Sequence, residues 1–400
     1  AHLFTLGVGI SSGLAAAIPS GGGGGLRGES WSALVQTHGQ QQQFGFVVLF
    51  IAGIAFHVLP RFKRQQPLSP RLVYATYGLL AGGVVLRALS QPHAQGWMRG
   101  TFVASSLLEF AGAALFATLI LRVLASPRLR ETLDYYVTAA LFALVGAAAM
   151  NVYLTLDAAG DGRRVVAALG DESMILAVTQ GFVVLFVLGI STRVLPFFLS
   201  LQPSRHGLLR ASALALAVAV PVRVLATWAP EVASMDAVAF ERAAAFAVGA
   251  AILAAIAALR VFEEPATREQ SPMAPPAFGT AVRVAFAWLI AGVLLDVYWQ
   301  LREIEGGVTT MYAAGAIRHT YLLGFATLMV MAMGYRIVPV FSGRPLPWRD
   351  GVPLSFALVI SAAVLRIVPV AFAPAPTGLA YKLRAAGGFL LFAGVSVFAA

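Results

Sequence analysis

Long apolar stretches, separated by short polar turns, run along the whole chain. Each stretch approaches or exceeds the roughly 20 residues that a helix needs to cross the hydrocarbon core of a bilayer. Proline and glycine mark most of the turns, as in the glycine run 21–25 and in the segment 67–70. The pattern predicts twelve transmembrane helices, at residues 1–19, 31–60, 70–90, 99–125, 133–156, 172–200, 208–228, 237–262, 279–301, 310–341, 351–373 and 377–400.

One segment of this pattern occurs three times. It starts with a glycine, has a basic or imidazole residue twelve positions later, and has a proline three positions after that. The copies start at Gly45, Gly181 and Gly324. An arginine follows each proline by 27 residues, and these arginines are Arg87, Arg223 and Arg366. Three copies with matching offsets indicate an internal repeat.

The repeat predicts the architecture. Its copies fall on the second, sixth and tenth predicted helices, so the unit is four helices used three times. We therefore predict an all-α polytopic membrane protein with one transmembrane domain over residues 1–400 and repeat units at about 1–125, 133–262 and 279–400. A pseudo-threefold arrangement of this kind differs from the paired halves of most secondary transporters. It is the plan of the main subunit of haem-copper oxidases, which is a fold-level analogy.

Composition agrees with a membrane protein. Hydrophobic residues make up 59% of the chain, charged residues 12%, and the mean hydropathy is +0.80. The chain has no cysteine, which excludes disulfides, thiolate metal sites and iron–sulfur clusters built from its own residues. The net charge of +10 does not indicate nucleic acid as a partner, because the basic residues lie mostly in short loops between apolar spans.

The loop charges predict an orientation. If the first helix starts in the cytoplasm, thirteen arginine and lysine residues fall in inner loops and five in outer loops. Lys382 and Arg384 lie near an outer helix end and are exceptions. Because basic loops stay on the cytoplasmic side, the asymmetry favours a cytoplasmic N-terminus.

Four of the six histidines lie within predicted membrane helices. His38 on the second helix and His319 on the tenth lie at similar depth in the outer half of the membrane. An ionisable residue at such depth is costly and suggests a functional partner. Since imidazole is the usual axial ligand of haem iron, the two side chains could face one haem plane from both sides. The alternative is that each makes an interhelical hydrogen bond.

Further polar residues lie in predicted helices. His2 and His57 form a weaker second histidine pair on the cytoplasmic side. His57 and its repeat equivalents, Arg193 and Arg336, could hold haem propionates or another anion, or could extend to the lipid headgroups. Gln40 begins a run of four glutamines, some of which must face the protein interior, where they could orient a ligand or water.

Three acidic residues within the predicted helices are candidate counter-ions or proton carriers, namely Glu109, Glu172 and Asp296. No nucleotide-binding glycine motif, zinc-protease motif or covalent haem-attachment motif occurs in the sequence. The adjacent histidines typical of the copper site of haem-copper oxidases are also absent. Any haem would therefore be bound non-covalently.

Three stretches match motifs of one known family. They are His319-Thr-Tyr-Leu-Leu-Gly324 with the turn Ser342-Gly-Arg-Pro-Leu346, the stretch Arg193-Val-Leu-Pro-Phe-Phe198, and His38 seven residues before Gly45. On these residues the chain resembles the NnrS family, twelve-helix bacterial membrane proteins implicated in the nitric oxide response and described as containing haem and copper. The helix count extends the resemblance over the whole chain.

The resemblance implies haem b bound by His38 and His319, in the bacterial inner membrane. Three positions depart from the family motif: Gln40 replaces a second histidine, Gln41 replaces a glutamate, and Phe341 replaces a third histidine. Glutamine is a poor substitute for imidazole, so a six-coordinate haem is favoured over a copper site. This sequence is therefore interpreted as a divergent member of the family.

Several functions are compatible with these observations. The first is a haem protein of nitric oxide handling or membrane electron transfer, with enzymatic redox chemistry as one form of it. Its expected partners are the lipid bilayer, a small gaseous ligand such as nitric oxide, and subunits of a respiratory complex. The alternatives are a cofactor-free transporter or channel for anions or small molecules, and a structural subunit of a respiratory complex.

Overall fold

The computed structural model describes residues 28–125, 131–228, 235–266, 275–372 and 378–399. These residues form helices and turns, without any strand. Eleven of their helices are long and apolar enough to cross a membrane. We label them α1 Glu29–Phe62, α2 Pro70–Ser90, α3 Met98–Leu124, α4 Thr132–Gly160, α5 Ala168–Phe198, α6 His206–Trp228, α7 Met235–Leu259, α8 Phe278–Ile304, α9 Met311–Ser342, α10 Gly351–Ala371 and α11 Gly378–Ala399.

The eleven helices correspond in order to the second to twelfth predicted spans, so the all-helical class is confirmed. The first predicted span, residues 1–19, lies outside the described residues, and so does His2. The observed limits differ from the predicted ones by a few residues, as in α1, which extends two residues beyond the predicted 31–60 at each end. Apolar length alone is enough to locate these helices.

The three helices that contain the repeated segment, α1, α5 and α9, are not α-helical throughout. Each includes eight residues of π-helix, and these stretches are Gln41–Val48, Ala177–Val184 and Thr320–Thr327. The glycine of the repeat is the fifth residue of each stretch. Because π-helical turns are rare and often mark functional sites, their recurrence shows that the repeat includes a local backbone conformation. The pseudo-threefold arrangement of the three units remains a prediction.

The chain divides into two compact units. The first contains residues 1–186 and 220–241, and the second contains residues 187–219 and 242–400. In the first unit, α2 and α3 pack closely where Gly83 faces α3. A Cβ atom on Gly83 would lie 2.7 Å from the carbonyl oxygen of Ser105, which is too close for any larger residue. Lys63 and Asp134 join the end of α1 to the start of α4 through an ion pair of 2.7 Å.

The second unit is held together by similar contacts between helices. The indole nitrogen of Trp299 on α8 donates a hydrogen bond of 2.9 Å to the carbonyl of Ala371 at the end of α10. Tyr335 on α9 donates to Ser355 on α10 at 2.9 Å. Gly394 on α11 faces α10, because a Cβ atom there would lie 2.7 Å from a methyl group of Val359. These contacts determine which faces of α8, α9, α10 and α11 meet.

Candidate functional site

His319 lies in α9, at the residue directly before the π-helical stretch. Its Nδ1 atom is 2.6 Å from the carbonyl oxygen of Gly315. Since a carbonyl can only accept, Nδ1 carries the proton of this hydrogen bond. In the neutral ring, Nε2 is then the unprotonated nitrogen. This is the tautomer in which an imidazole ligates haem iron, with its second nitrogen held by a hydrogen bond. No described atom lies within 4 Å of where a Cβ atom on Gly315 would be, so there is open space on this face.

His38 lies in α1, three residues before the π-helical stretch of that helix, and its side chain is half-buried. The next residue, Gly39, also has open space beside it. Both predicted haem ligands are therefore located in the turn that precedes a π-helical stretch. The equivalent turn of α5 has no histidine.

A buried polar network in the first unit includes Gln40, two residues after His38 in the sequence. The amide nitrogen of Gln40 donates to Glu109 on α3, and Asn151 on α4 donates to the same carboxylate oxygen at 2.8 Å. Arg87 on α2 donates to Asn151 at 3.2 Å and to Gln91 at 2.7 Å. All five side chains are almost inaccessible. The burial of a carboxylate and a guanidinium group is tolerated here because the same network compensates both.

The network continues from Gln91 towards the loop between α4 and α5. Thr37 donates to Gln91 at 3.1 Å, and Gln91 donates to Gln36 at 3.0 Å. Gln36 in turn exchanges two hydrogen bonds of 3.0 Å with the backbone of Val166. A continuous series of polar side chains therefore connects buried Glu109 with a loop at the end of α4.

Three buried oxygen atoms of this region have no hydrogen-bond donor among the described residues. They are the second carboxylate oxygen of Glu109 and the side-chain carbonyl oxygens of Gln40 and Gln43. Buried acceptors of this kind are normally satisfied by ordered water or by a bound group. The region around Gln40, Gln43 and Glu109 is therefore chemically suited to hold a polar or hydrated group.

The other predicted site residues have different surroundings. His57 and Arg193 are exposed, whereas Arg336 is buried with its guanidinium group 5.0 Å from the ring centre of Phe198. Their role as propionate ligands stays a prediction. Within the described ranges, no group of three or more histidine, cysteine or acidic residues could hold a metal ion. Haem ligation by single histidines does not require such a group.

The acidic residues predicted as counter-ions are now placed. Glu109 belongs to the buried network, Asp296 is buried in α8, and Glu172 is half-buried in α5. Arg223 forms an ion pair of 3.0 Å with Glu241. Glu241 was not among the acidic residues predicted from the sequence. Asn151 and Gln91 were also missed as network members. The sequence signal that could have identified Asn151 is a polar amide side chain within an apolar helix.

The geometry defines a polytopic helical membrane protein with ionisable groups held inside its membrane helices. Among solved structures, a haem-copper terminal oxidase, determined as a dimer by cryo-electron microscopy, has the same fold. The TM-score is 0.70 with 12% sequence identity, over 99% of this chain and 81% of that chain. The predicted likeness to haem-copper oxidases is therefore confirmed for the fold.

The particular family follows from the sequence itself. The family model described as NnrS protein matches residues 3–400. The chain therefore belongs to the NnrS family, as its motifs indicated. No curated protein matches the chain.

Proposed function

We propose that this NnrS-family protein binds haem b non-covalently and that His38 and His319 each supply an axial ligand. The observation that supports the proposal best is the hydrogen bond from Nδ1 of His319 to the carbonyl oxygen of Gly315, which leaves Nε2 as the nitrogen that would ligate iron. The position of both histidines before a π-helical stretch, with open space at the neighbouring glycines, supports it further. The fold and the family agree with this proposal.

The chain's own residues would hold and tune the group. Gly315 fixes the ring orientation and tautomer of His319. Gln40, through Glu109, keeps the polar network in place beside His38. Arg336, His57 and Arg193 are the proposed partners for propionate groups or other anions. When bound, haem supplies one-electron redox chemistry and, if one axial position opens, a binding position for a diatomic gas.

We propose a role in the nitric oxide response or metabolism, or in membrane electron transfer. The two roles differ in coordination. Electron transfer needs two permanent axial ligands, whereas nitric oxide chemistry needs an exchangeable position. Anaerobic addition of nitric oxide to the reduced protein would therefore change the optical spectrum only in the second case.

Optical difference spectra of the purified protein test the haem proposal. We expect a reduced-minus-oxidised spectrum with the α-band of a b-type haem, and loss or conversion of this band in His38→Ala and His319→Ala. The matched controls are His93→Ala and His206→Ala, which remove exposed histidines in the turn after α2 and at the first residue of α6. These controls should keep the haem content of the unsubstituted protein. Absence of any α-band after haem supplementation, or unchanged bands in both membrane-histidine variants, would contradict the proposal.

The orphan oxygen atoms of Gln40, Gln43 and Glu109 also support a second candidate, which is transport of a small polar solute or proton through the first unit. Flux assays in liposomes distinguish the two. Flux by haem-free protein that is lost in Glu109→Leu would favour transport. Haem binding without flux would favour the first proposal.

A further inference from the structure

Arg366 and Arg384 lie on neighbouring helices of the second unit, and neither has an acidic partner among the described residues. Arg366 on α10 and Arg384 on α11 lie about 7.5 Å and 9 Å from the neighbouring ends of their helices, at 1.5 Å per residue. The helices are in close contact at Gly387, where a Cβ atom would lie 3.4 Å from the backbone nitrogen of Arg366. Because Gly387 is three residues after Arg384, both lie on the face of α11 that packs against α10. The two positively charged residues therefore lie on the facing surfaces of α10 and α11.

Among the described residues, neither guanidinium group forms an ion pair or donates a hydrogen bond to the chain. The Nε atom of Arg384 is buried without a partner. Its guanidinium carbon lies 5.8 Å from the ring centre of Tyr312, and the hydroxyl groups of Tyr312 and Tyr381 are 2.6 Å apart. Arg384 is therefore flanked by two phenols that are hydrogen-bonded to each other. One of their two hydroxyl protons is used in that bond, and the other can be donated to an anion.

In the other two copies of the repeat, an acidic residue compensates the positive charge of the equivalent arginine. Arg223 pairs directly with Glu241, eighteen residues later, at 3.0 Å. Arg87 is connected to Glu109 through Asn151. In the third copy, the residue eighteen positions after Arg366 is Arg384. The position that contributes a carboxylate in the second copy contributes a second positive charge here.

Acidic residues are nearly absent from the part of the sequence that contains this pair. Asp350 is the only acidic residue in 306–400, against seven arginines and lysines. It caps the opposite end of α10, and the sixteen residues between it and Arg366 span about 24 Å. Residues 1–28 contain no acid either. Two partly buried positive charges that repel each other need a counter-charge, because an uncompensated charge in such surroundings is costly.

We propose that Arg366 and Arg384 bind a phosphate-type oxyanion from outside the chain, with one hydroxyl of the Tyr312–Tyr381 pair as an additional donor. Guanidinium groups bind phosphate oxygens in a bidentate manner, which gives strong hydrogen bonds where water is scarce. Because α10 is about as long as the apolar core of a bilayer is thick, the backbone of the pair lies roughly 7–9 Å inside the edge of that core, and long arginine side chains can extend from there to the headgroups. The phosphate belongs either to a phospholipid headgroup or to a free anion. The proposal does not depend on haem binding.

Thermal unfolding of the purified, delipidated protein tests this site. Inorganic phosphate probes the free anion, and phosphatidic acid, compared with diacylglycerol, probes the lipid headgroup. We expect one of the two phosphates to raise the Tm of the unsubstituted protein. In Arg384→Glu, which supplies the acid that Glu241 supplies to Arg223, binding should weaken at least tenfold. The same variant should raise the Tm without ligand, because repulsion is replaced by an ion pair.

Lys382→Glu is the matched control, since it makes the same charge change at an exposed position two residues away. Its apparent Kd should stay within about twofold of the unsubstituted protein, because exposed charges are well screened. If Arg384→Glu does not fold, Arg384→Gln and Arg366→Gln replace it, and each should bind phosphate more weakly than the unsubstituted protein. A response to phosphate alone identifies a soluble anion, and a response to phosphatidic acid alone identifies a lipid. Equal responses of Arg384→Glu and Lys382→Glu, or no response to either phosphate, would overturn the proposal.

Discussion

Arg87, Arg223 and Arg366 occupy equivalent positions in the repeat but have different polar surroundings. Arg87 donates to Asn151 and Gln91, whereas Arg223 pairs with Glu241. Arg366 has neither kind of partner among the described residues. The position thus holds an arginine in all three copies of the repeat, but the groups around that arginine differ from copy to copy. The contribution of each arginine to the free energy of unfolding should therefore depend on its hydrogen-bond and ion-pair partners, and not on its position in the repeat.

Replacing Arg87 by alanine should destabilise the protein by about 3 kcal/mol. The change removes the hydrogen-bond donor of Asn151 and the positive charge that compensates Glu109 in a buried region. Thermal unfolding in detergent, followed by circular dichroism, measures the effect. Arg366→Ala, in phosphate-free buffer, is the matched control and should cost less than about 1 kcal/mol. Equal losses in both variants would show that the network does not stabilise the first unit.

At the scale of helices, the repeated glycine allows close packing of the π-helical stretches. A Cβ atom on Gly324 would lie 2.6 Å from the ring of Trp288 on α8. One on Gly181 would lie 2.7 Å from the Cβ atom of Ala143 on α4. Real Cβ contacts are not this short, so both positions exclude a side chain. The repeat therefore conserves a packing contact together with the wider helical turn.

Gly324→Val should lower the free energy of unfolding by about 1–3 kcal/mol, because the added methyl groups overlap the indole ring of Trp288. Denaturation of the purified protein with a chaotrope measures this. Gly146→Ala is the control, because Gly146 lies within α4 with open space beside it. In that variant we expect a gain of about 0.5–1 kcal/mol from the higher helix propensity of alanine. A tolerated valine at position 324 would mean that α8 and α9 can separate without loss.

For the whole molecule, the distribution of loop charges predicts the orientation in the membrane. The absence of cysteine makes this prediction easy to test, since a single introduced thiol is the only reactive one. Val308→Cys, in the exposed turn between α8 and α9, should react with a membrane-impermeant maleimide added to intact cells. Glu264→Cys, in the exposed segment after α7, should react only after the cells are lysed. The reverse pattern would place the N-terminus outside the cytoplasm.

The sequence was a good guide to helices and a poor guide to their interactions. Eleven of the twelve predicted spans match observed helices, because the length of an apolar run is a local property. The π-helical stretches were not predicted, since both kinds of helix have similar apolar patterns over eight residues. His38 and His319 were selected from depth and motif alone. Their role as haem ligands is still to be tested by spectroscopy.

By itself, the sequence determined the membrane class, the helix positions, the repeat and the family. Hydropathy gives the class and the helices, residue spacing gives the repeat, and motifs give the family. Only the tertiary structure decided which polar residues meet. Arg87 and Asn151 are 64 residues apart, and Gln40 and Glu109 are 69 apart. Such contacts depend on how the helices turn and approach each other, which periodicity does not specify. The meeting of Arg366 with Arg384 is a result of the same helix packing.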